Sequence, residues 1–517
     1  MAECTVRLFS HNFEITKLSP RARTAVTHFA RRFIEQKQVK KKPSWYAQAN
    51  QSNKDDCVYA TATDDRTEYR FHVNQLSEFK DHLKVCGLDF DRDVKFSVVP
   101  LNEPRKVELR VQSGWVPDPE YKQPEAIAFL TNRDIPRKLL GMPPGYGKSY
   151  STMQAIANLG ELSVWSVQAK YVEKTHLDLL RTYDMAVEDV LVISKTKDLK
   201  MLLFMAVSEL PDVKVILISS KLLQIWFSLY KKLGAGIEVV GYSSAPQYFY
   251  QLLGVGVRVI DEVHQEFHFN FLQDLYTHVP LSISLSATMQ FDNATRNRMA
   301  QLAYPKIDRF EVDYVPYISA TSISFEFEKP ERIRVMGKQG TYSHHVFEDS
   351  VMKDKKVLGR YLDMINLVVR KELLTDHLEG ERMIIYAAGV EFCTILRDDL
   401  RKRHPDLKIT RYCGSANDEY DNLLTSDICV TTLGSAGTNV DIPNLKCAFL
   451  TTGVDSTQSN IQGAGRLRDK LAPGRVPRFV WLVAQQFARP LAYHEKKVEL
   501  LRTRAKILNA QFYGTLL

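Results

Sequence analysis

The stretch Lys138-Leu-Leu-Gly-Met142-Pro-Pro-Gly145-Tyr146-Gly147-Lys148-Ser149 decides how the rest of the chain is read. A strand predicted at Lys138 to Gly141 runs into a glycine loop that ends in Lys-Ser, and a helix is predicted from Tyr150 to Leu159. Those are the parts from which backbone N–H groups and a helix N-terminus cradle phosphate. In this reading Gly145, Tyr146 and Gly147 shape the loop, Lys148 reaches the outer phosphates of a nucleotide such as ATP, and Ser149 holds Mg²⁺. The full G-x-x-x-x-G-K-[ST] pattern wants glycine at 142 and finds Met142. Alone, the pentapeptide serves a plain strand-turn-helix corner equally well.

Around it lie 517 residues, 44% apolar, with net charge +8. That length suggests about three domains. The seven cysteines, at 4, 57, 86, 393, 413, 429 and 447, contain no C-x-x-C pair, which argues against a disulfide framework and a zinc site and fits a reducing cytoplasm. The N-terminus lacks the charged-then-apolar layout of a signal peptide, and no run of 18 apolar residues offers a membrane span. No internal repeat shows in the sequence.

Residues 1–112 read as a small basic α+β domain. Val6 to Leu18 alternates like a strand pair, and Ser19-Pro20 opens a helix whose Val26, Phe29, Ala30, Phe33 and Ile34 share one face. Between 19 and 42 there are eight basic residues (Arg21, Arg23, Arg31, Arg32, Lys37, Lys40, Lys41, Lys42) against one acid, Glu35, a local charge of +7. Trp45 and Tyr46 follow, and basic groups beside aromatics suit phosphate contact plus base stacking. A solvated helix face is the competing reading. Strands are expected at Cys57 to Thr63, Glu68 to Val73, Val94 to Val99 and Val107 to Val111, and a helix at Gln75 to Val85. A turn-rich linker occupies 113–119.

Residues 113–312 alternate short apolar strands with amphipathic helices, the pattern of a parallel sheet covered on both faces. Strands are expected at Leu162 to Val167, Val190 to Ser194, Val213 to Ser219, Val255 to Ile260 and Leu281 to Leu285. The strand ending at Ile260 runs into Asp261-Glu262-Val263-His264. Adjacent carboxylates at a buried strand end are costly unless a cation or a reacting water uses them. Asp261 would hold Mg²⁺, and Glu262 would orient and deprotonate the water that attacks the γ-phosphate. His264 either couples this site to other motifs or caps a loop.

Then comes Ser286-Ala287-Thr288, again where a strand meets a loop. With GxGKS, DExH and SAT in that order, the chain resembles the superfamily 2 DExH helicases and translocases. Within them it looks most like phage branch-migration helicases of the UvsW type, which also carry a small N-terminal α+β domain. The resemblance implies two RecA-like parallel-sheet lobes in tandem, an α/β fold preceded by that small domain. It assigns Gln123 to the adenine edge, and Lys170, Ser220 and Lys221 to the backbone of a nucleic-acid strand. After SAT many relatives continue with proline and a basic residue, whereas this chain has Met289-Gln290-Phe291.

Residues 313–517 form the second lobe. A helix is expected at Asp349 to Arg370, strands at Met383 to Ala387, Leu407 to Tyr412, Ile428 to Thr432 and Phe479 to Val483, and a basic terminal helix from His494 to Tyr513. The segment from Thr432 to Pro443 matches the family's T…G…D-[IV]-P motif, which puts Thr432 on nucleic acid and Gly437 and Asp441 at the nucleotide. Relatives then show Q-x-x-G-R-x-x-R. Here Gln462, Gly465 and Arg466 fit, while the last arginine position holds Asp469 and Arg468 stands one place early. The resemblance makes Arg466, and secondarily Arg468, the arginine that neutralises charge on the transferring phosphoryl group.

The expectation is an ATP- and Mg²⁺-dependent, monomeric DNA motor that remodels branched or forked DNA in replication, recombination or repair. It would be cytoplasmic, in a host's cytoplasm if phage-encoded, without membrane contact and with replication or recombination proteins as partners. An RNA helicase and an ATP-switched nucleic-acid-binding scaffold are the alternatives.

Overall fold

A computed structural model describes residues 2–517 apart from 36–56, 59, 64, 65, 113, 144, 207–211, 288, 290, 292, 293, 314, 338, 339, 414–420, 437–441, 454–459, 461, 462, 468–470, 473 and 517. The chain divides into two compact units, Met1–Met142 with Tyr146–Val312, and Asp313–Leu517 with Pro143–Gly145.

The first unit opens with a five-stranded mixed sheet. Its strands are β1 (Cys4–Leu8), β2 (Asn12–Thr16), β3 (Ala60–Ala62), β4 (Tyr69–His72) and β5 (Val94–Val98), in the order β3-β4-β2-β1-β5. The helix Pro20–Arg31 starts where the capping signal placed it, with the Ser19 side chain accepting from the Ala22 N–H. Val26, Phe29, Ala30 and Phe33 are buried against Phe71 and Phe79. The expected strand Cys57 to Thr63 is split: Cys57–Val58 pairs with Ile34–Glu35, and only Ala60–Ala62 joins the sheet.

Val107 to Val111 is not a strand of this sheet. The N–H groups of Arg105, Val107 and Gln112 donate to the carbonyls of Gly254, Gly160 and Thr182, and Leu109 is buried in the core of the next sheet. The alternating pattern is real, but what it packs on is the first lobe.

That lobe's sheet has β6 (Arg137–Gly141), β7 (Ser163–Val167), β8 (Val190–Ile193), β9 (Val215–Ser219), β10 (Val257–Ile260), β11 (Leu281–Ser286) and β12 (Arg309–Glu311). All pairings are parallel, in the order β8-β9-β7-β10-β11-β6-β12. Every residue of β7, β9, β10 and β11 is buried, as expected for strands covered on both faces. Arg258 is tolerated inside β10 because its guanidinium donates to Asp274, to Gln273 (3.0 Å) and to Thr277 (3.2 Å).

The second unit holds β13 (Ile318–Phe327), β14 (Arg382–Ala387), β15 (Ile409–Tyr412), β16 (Ile428–Thr432), β17 (Leu445–Leu450), β18 (Arg478–Ala484) and β19 (Ala505–Leu516). Again all pairings are parallel, in the order β15-β16-β14-β17-β18-β13-β19. Numbered from its own first strand, each lobe reads 3-4-2-5-6-1-7. The two sheets share one topology although the sequence shows no repeat.

Two helix expectations are corrected here. Asp349 to Arg370 is two helices, His344–Lys353 and Lys355–Val369, because Asp354 turns out as an N-cap and accepts from the Lys356 and Val357 N–H groups. The terminal basic helix ends at Arg502, and Ala505–Leu516 is instead the edge strand β19 alongside β13. Lys497 of that helix is buried.

Candidate nucleotide site and nucleic-acid contacts

Because the first sheet is wholly parallel, the carboxyl ends of its strands lie along one edge, where open α/β sheets bind ligands. Onto that edge open the glycine loop after β6, Gln168 to Lys170 after β7, Ser220-Lys221 after β9, Asp261-Glu262 after β10 and Ser286 at the end of β11.

Gly145 and Gly147 have φ of 90° and 79°, and Gly147 caps the helix Lys148–Leu159 without a side-chain acceptor. The helix thus starts two residues earlier than expected, with Lys148 at its first position. A Cβ on Gly147 would stand 2.3 Å from Gln123 Nε2. Gln123 is buried and clamps the loop: Nε2 donates to the Tyr146 carbonyl at 2.9 Å, and Oε1 accepts from the Asp118 N–H at 2.9 Å. The amide that the resemblance assigns to adenine is hydrogen-bonded to the backbone of the glycine loop. The Tyr146 ring is buried 4.7 Å from that of Tyr121, so what Tyr146 turns to the loop is backbone.

The DEVH segment is pinned between neighbouring strands, with Asp261 N–H donating to Ser166 O and Val263 N–H to Leu285 O. Between these anchors Glu262 adopts φ 49°, the left-handed region that a non-glycine residue enters only when its surroundings enforce it. Its carboxylate meets two partners. Oε1 is 3.3 Å from Lys148 Nζ, and Oε2 is 3.2 Å from His264 Nδ1. His264 Nδ1 is also 2.9 Å from Ser286 Oγ, so the histidine joins the carboxylate to the end of β11. Burial holds the His264 imidazole below its ordinary pKa. Burial first, and then the charge of Glu262, push Asp261 up to about 6, with Lys148 opposing. Asp261 and Glu262 are crowded carboxyls of the hard-oxygen kind that Mg²⁺ prefers.

The remaining sequence-derived residues are placed as follows. Lys170 is exposed, with its ammonium 4.6 Å from the Tyr171 ring centroid, and Lys221 is exposed beside a buried Ser220. Arg31 is exposed, while Arg32 pairs with Glu78 at 2.6 Å and lies over Phe29 and Phe33. In the second unit Thr432 accepts from the Ser435 N–H and caps the short helix Leu433–Ala436. Arg466 is buried, and its guanidinium favours ionisation of Tyr386, whose hydroxyl burial nevertheless pushes up to about 12. Thr288, Gly437, Asp441, Gln462, Arg468, Asp469, Lys40, Lys41, Lys42, Trp45 and Tyr46 lie outside the described residues. Sequence reasoning passed over Asn297, whose amide grips both the N–H and the carbonyl of Phe291. Nothing in the local sequence signals that contact.

Two parallel seven-stranded lobes of one topology, the first presenting a glycine loop, paired carboxylates and a linked serine on its carboxyl edge, settle the architecture. The chain has two RecA-like parallel-sheet lobes in tandem. No family model matches it, and no curated protein matches it in sequence. Among solved structures the chain is similar to a fragment of a putative HsdR subunit of a type I restriction enzyme from Vibrio vulnificus (15% identity, 76% of this chain and 68% of that one, TM-score 0.46). It is also similar to S. cerevisiae Dbp5 bound to RNA and ADP BeF3 (13% identity, 75% and 89%, TM-score 0.48). T4 UvsW matches over the whole of both chains at 14% identity and TM-score 0.30. No helix among the described residues is long and apolar enough to cross a membrane.

Proposed function

We propose that the chain is an ATP-dependent nucleic-acid motor that acts on branched or forked DNA, with domains at 1–112, 113–312 and 313–517, the segment 105–112 packing on the first lobe. The observation that supports it most is the Glu262 carboxylate standing between Lys148 and His264 on the sheet's carboxyl edge. The loop N–H groups and the helix N-terminus receive the phosphates. Lys148 turns from Glu262 to the outer phosphate oxygens, and the released carboxylate accepts a proton from the attacking water. Mg²⁺, held by Ser149 and Asp261, would neutralise phosphate charge. By resemblance, Arg466 adds positive charge to the transferring phosphoryl group.

DNA is favoured over RNA by the resemblance to the UvsW type, and the exposed Arg31 on the N-terminal helix supports a backbone grip. Strand displacement on a DNA fork and on a matched RNA fork, with ATP at fixed salt, tests the reading. Displacement of the DNA fork alone is the expected result. Displacement of RNA alone would replace the substrate, and ATP binding without turnover would leave a scaffold.

A further inference from the structure

The two segments that leave the carboxylate site enter one apolar core, and the N-terminal domain shares it. The helix Phe267–Asp274 begins three residues after His264, and its Phe267 and Phe271 are buried with Phe29 and Phe71 of the N-terminal domain. The His72 ring stacks on Phe271 at 5.4 Å, and Asn12 Nδ2 donates to the Asp274 and Thr277 carbonyls at 3.1 and 3.0 Å. The second segment follows Ser286. Its Phe291 packs against the same core and lies 5.2 Å from Phe267, ring to ring, at 35°.

Asn297 fixes the Phe291 backbone from both sides: Oδ1 accepts from the N–H at 2.9 Å, and Nδ2 donates to the carbonyl at 2.7 Å. Asn297 belongs to the helix Ala294–Ala303, whose Leu302 carbonyl accepts from Asn74 Nδ2 of the N-terminal domain at 2.8 Å. So the arm from Glu262 and the arm from Ser286, already joined by His264 at their roots, meet again at the Phe267–Phe291 contact, and both rest on the N-terminal domain. Relatives often place proline and a basic group after SAT; here Met289 and Phe291 make this apolar contact instead.

We propose that Phe291 is a positioning residue: through its ring contact with Phe267 it lets nucleic-acid occupancy of the N-terminal domain set the arrangement of Glu262, His264 and Ser286, and hence the rate of hydrolysis. The inference rests on the motor reading above. It is a coupling between two sites, which typically amounts to about 5- to 150-fold.

The test uses the full chain carrying Phe291→Ala, Phe291→Tyr or Asn297→Ala, with ATP turnover measured without and with forked DNA, alongside DNA affinity and thermal unfolding. For Phe291→Ala the unstimulated rate stays within about twofold and the DNA Kd within about threefold, while stimulation by DNA falls about tenfold. Phe291→Tyr restores the stimulation, and Asn297→Ala lowers it in the same direction. Asn297→Ala carries the test if Phe291→Ala does not fold. Wild-type stimulation in both alanine variants would overturn the coupling, as would a proportional fall of unstimulated and stimulated rates. A wild-type chain that no nucleic acid stimulates would overturn the motor reading and the coupling with it, and the wild-type rates alone show which of the two has failed.

Discussion

Lys148 Nζ and Glu262 Oε1 lie 3.3 Å apart, so the cation proposed to meet phosphate and the carboxylate proposed to serve water neutralise each other. On the proposed function a nucleotide would compete with Glu262 for Lys148, and its binding would release the base.

Glu262→Gln removes both the base and the competitor. Turnover should fall by about 10²- to 10⁴-fold while nucleotide affinity is unchanged or tighter. Equilibrium nucleotide binding set beside steady-state turnover checks this. Weaker binding in the variant would mean that Glu262 shapes the phosphate loop rather than serving the water.

Gly147→Ala puts a Cβ at φ 79° and 2.3 Å from Gln123 Nε2. The backbone conformation alone costs about 1–2 kcal/mol, and the clash breaks the amide's bond to Tyr146. Nucleotide binding should be lost first, with a modest fall in stability. Adding Gln123→Ala removes the clash, and the double variant should bind better than the sum of the single effects predicts. Strict additivity would show that the glutamine does not constrain the loop.

The N-terminal sheet docks on the first lobe through buried, uncharged histidines. Burial, with Arg137 nearby, lowers His72 to about 3, and His11 and His278 are lowered too, His11 facing both Arg137 and Arg258. The arginines are answered by Asp308 and Asp274. The unfolded imidazoles take a proton near pH 6.5 that the folded ones refuse, so the stability is whole above pH 6.5 and declines as pH falls towards 3. Each group contributes a slope of up to about 1.4 kcal/mol per pH unit. His72→Phe, which keeps a ring against Phe271, should flatten the dependence of urea unfolding between pH 7 and 5. An unchanged slope would place the acid sensitivity elsewhere.

Lys497 is buried on the second lobe with no hydrogen-bond partner for its ammonium among the described residues and only the Trp481 ring beneath it at 5.5 Å. Burial lowers its pKa to about 7. The unfolded lysine keeps its proton to about pH 10.4, so stability should rise from pH 7 to 10 as the proton becomes easier to lose. Lys497→Met should stabilise this lobe by about 1–3 kcal/mol at pH 7 and remove that rise. Thermal unfolding across the range checks it, and a destabilised, equally pH-dependent variant would contradict it.

Much of the first lobe was legible because each motif sits at the end of a buried apolar strand, as with VRVI before Asp261. What the sequence concealed depends on tertiary pairing. Val498, Leu501, Ala505 and Leu508 keep helical spacing, yet beyond Arg502 the chain pairs with β13, and Leu508 ends up on an exposed edge strand. Asp354 looked like one more polar position in a long helix until its capping bonds showed a break. The common strand order of the two lobes left no repeat to read, since only buried apolar runs are required and their residues differ. The grip of Asn297 on Phe291 has no local signature.

The motor is tested most directly by steady-state ATP hydrolysis by the wild-type chain and by Lys148→Ala without nucleic acid, with single-stranded DNA, with a DNA fork and with a matched RNA, at one fixed salt concentration because backbone contacts are salt-dependent. Hydrolysis should be stimulated strongly by the fork and weakly by RNA, and should be absent in Lys148→Ala. Near-wild-type turnover in Lys148→Ala, or a wild-type rate indifferent to every nucleic acid, would contradict the proposed function.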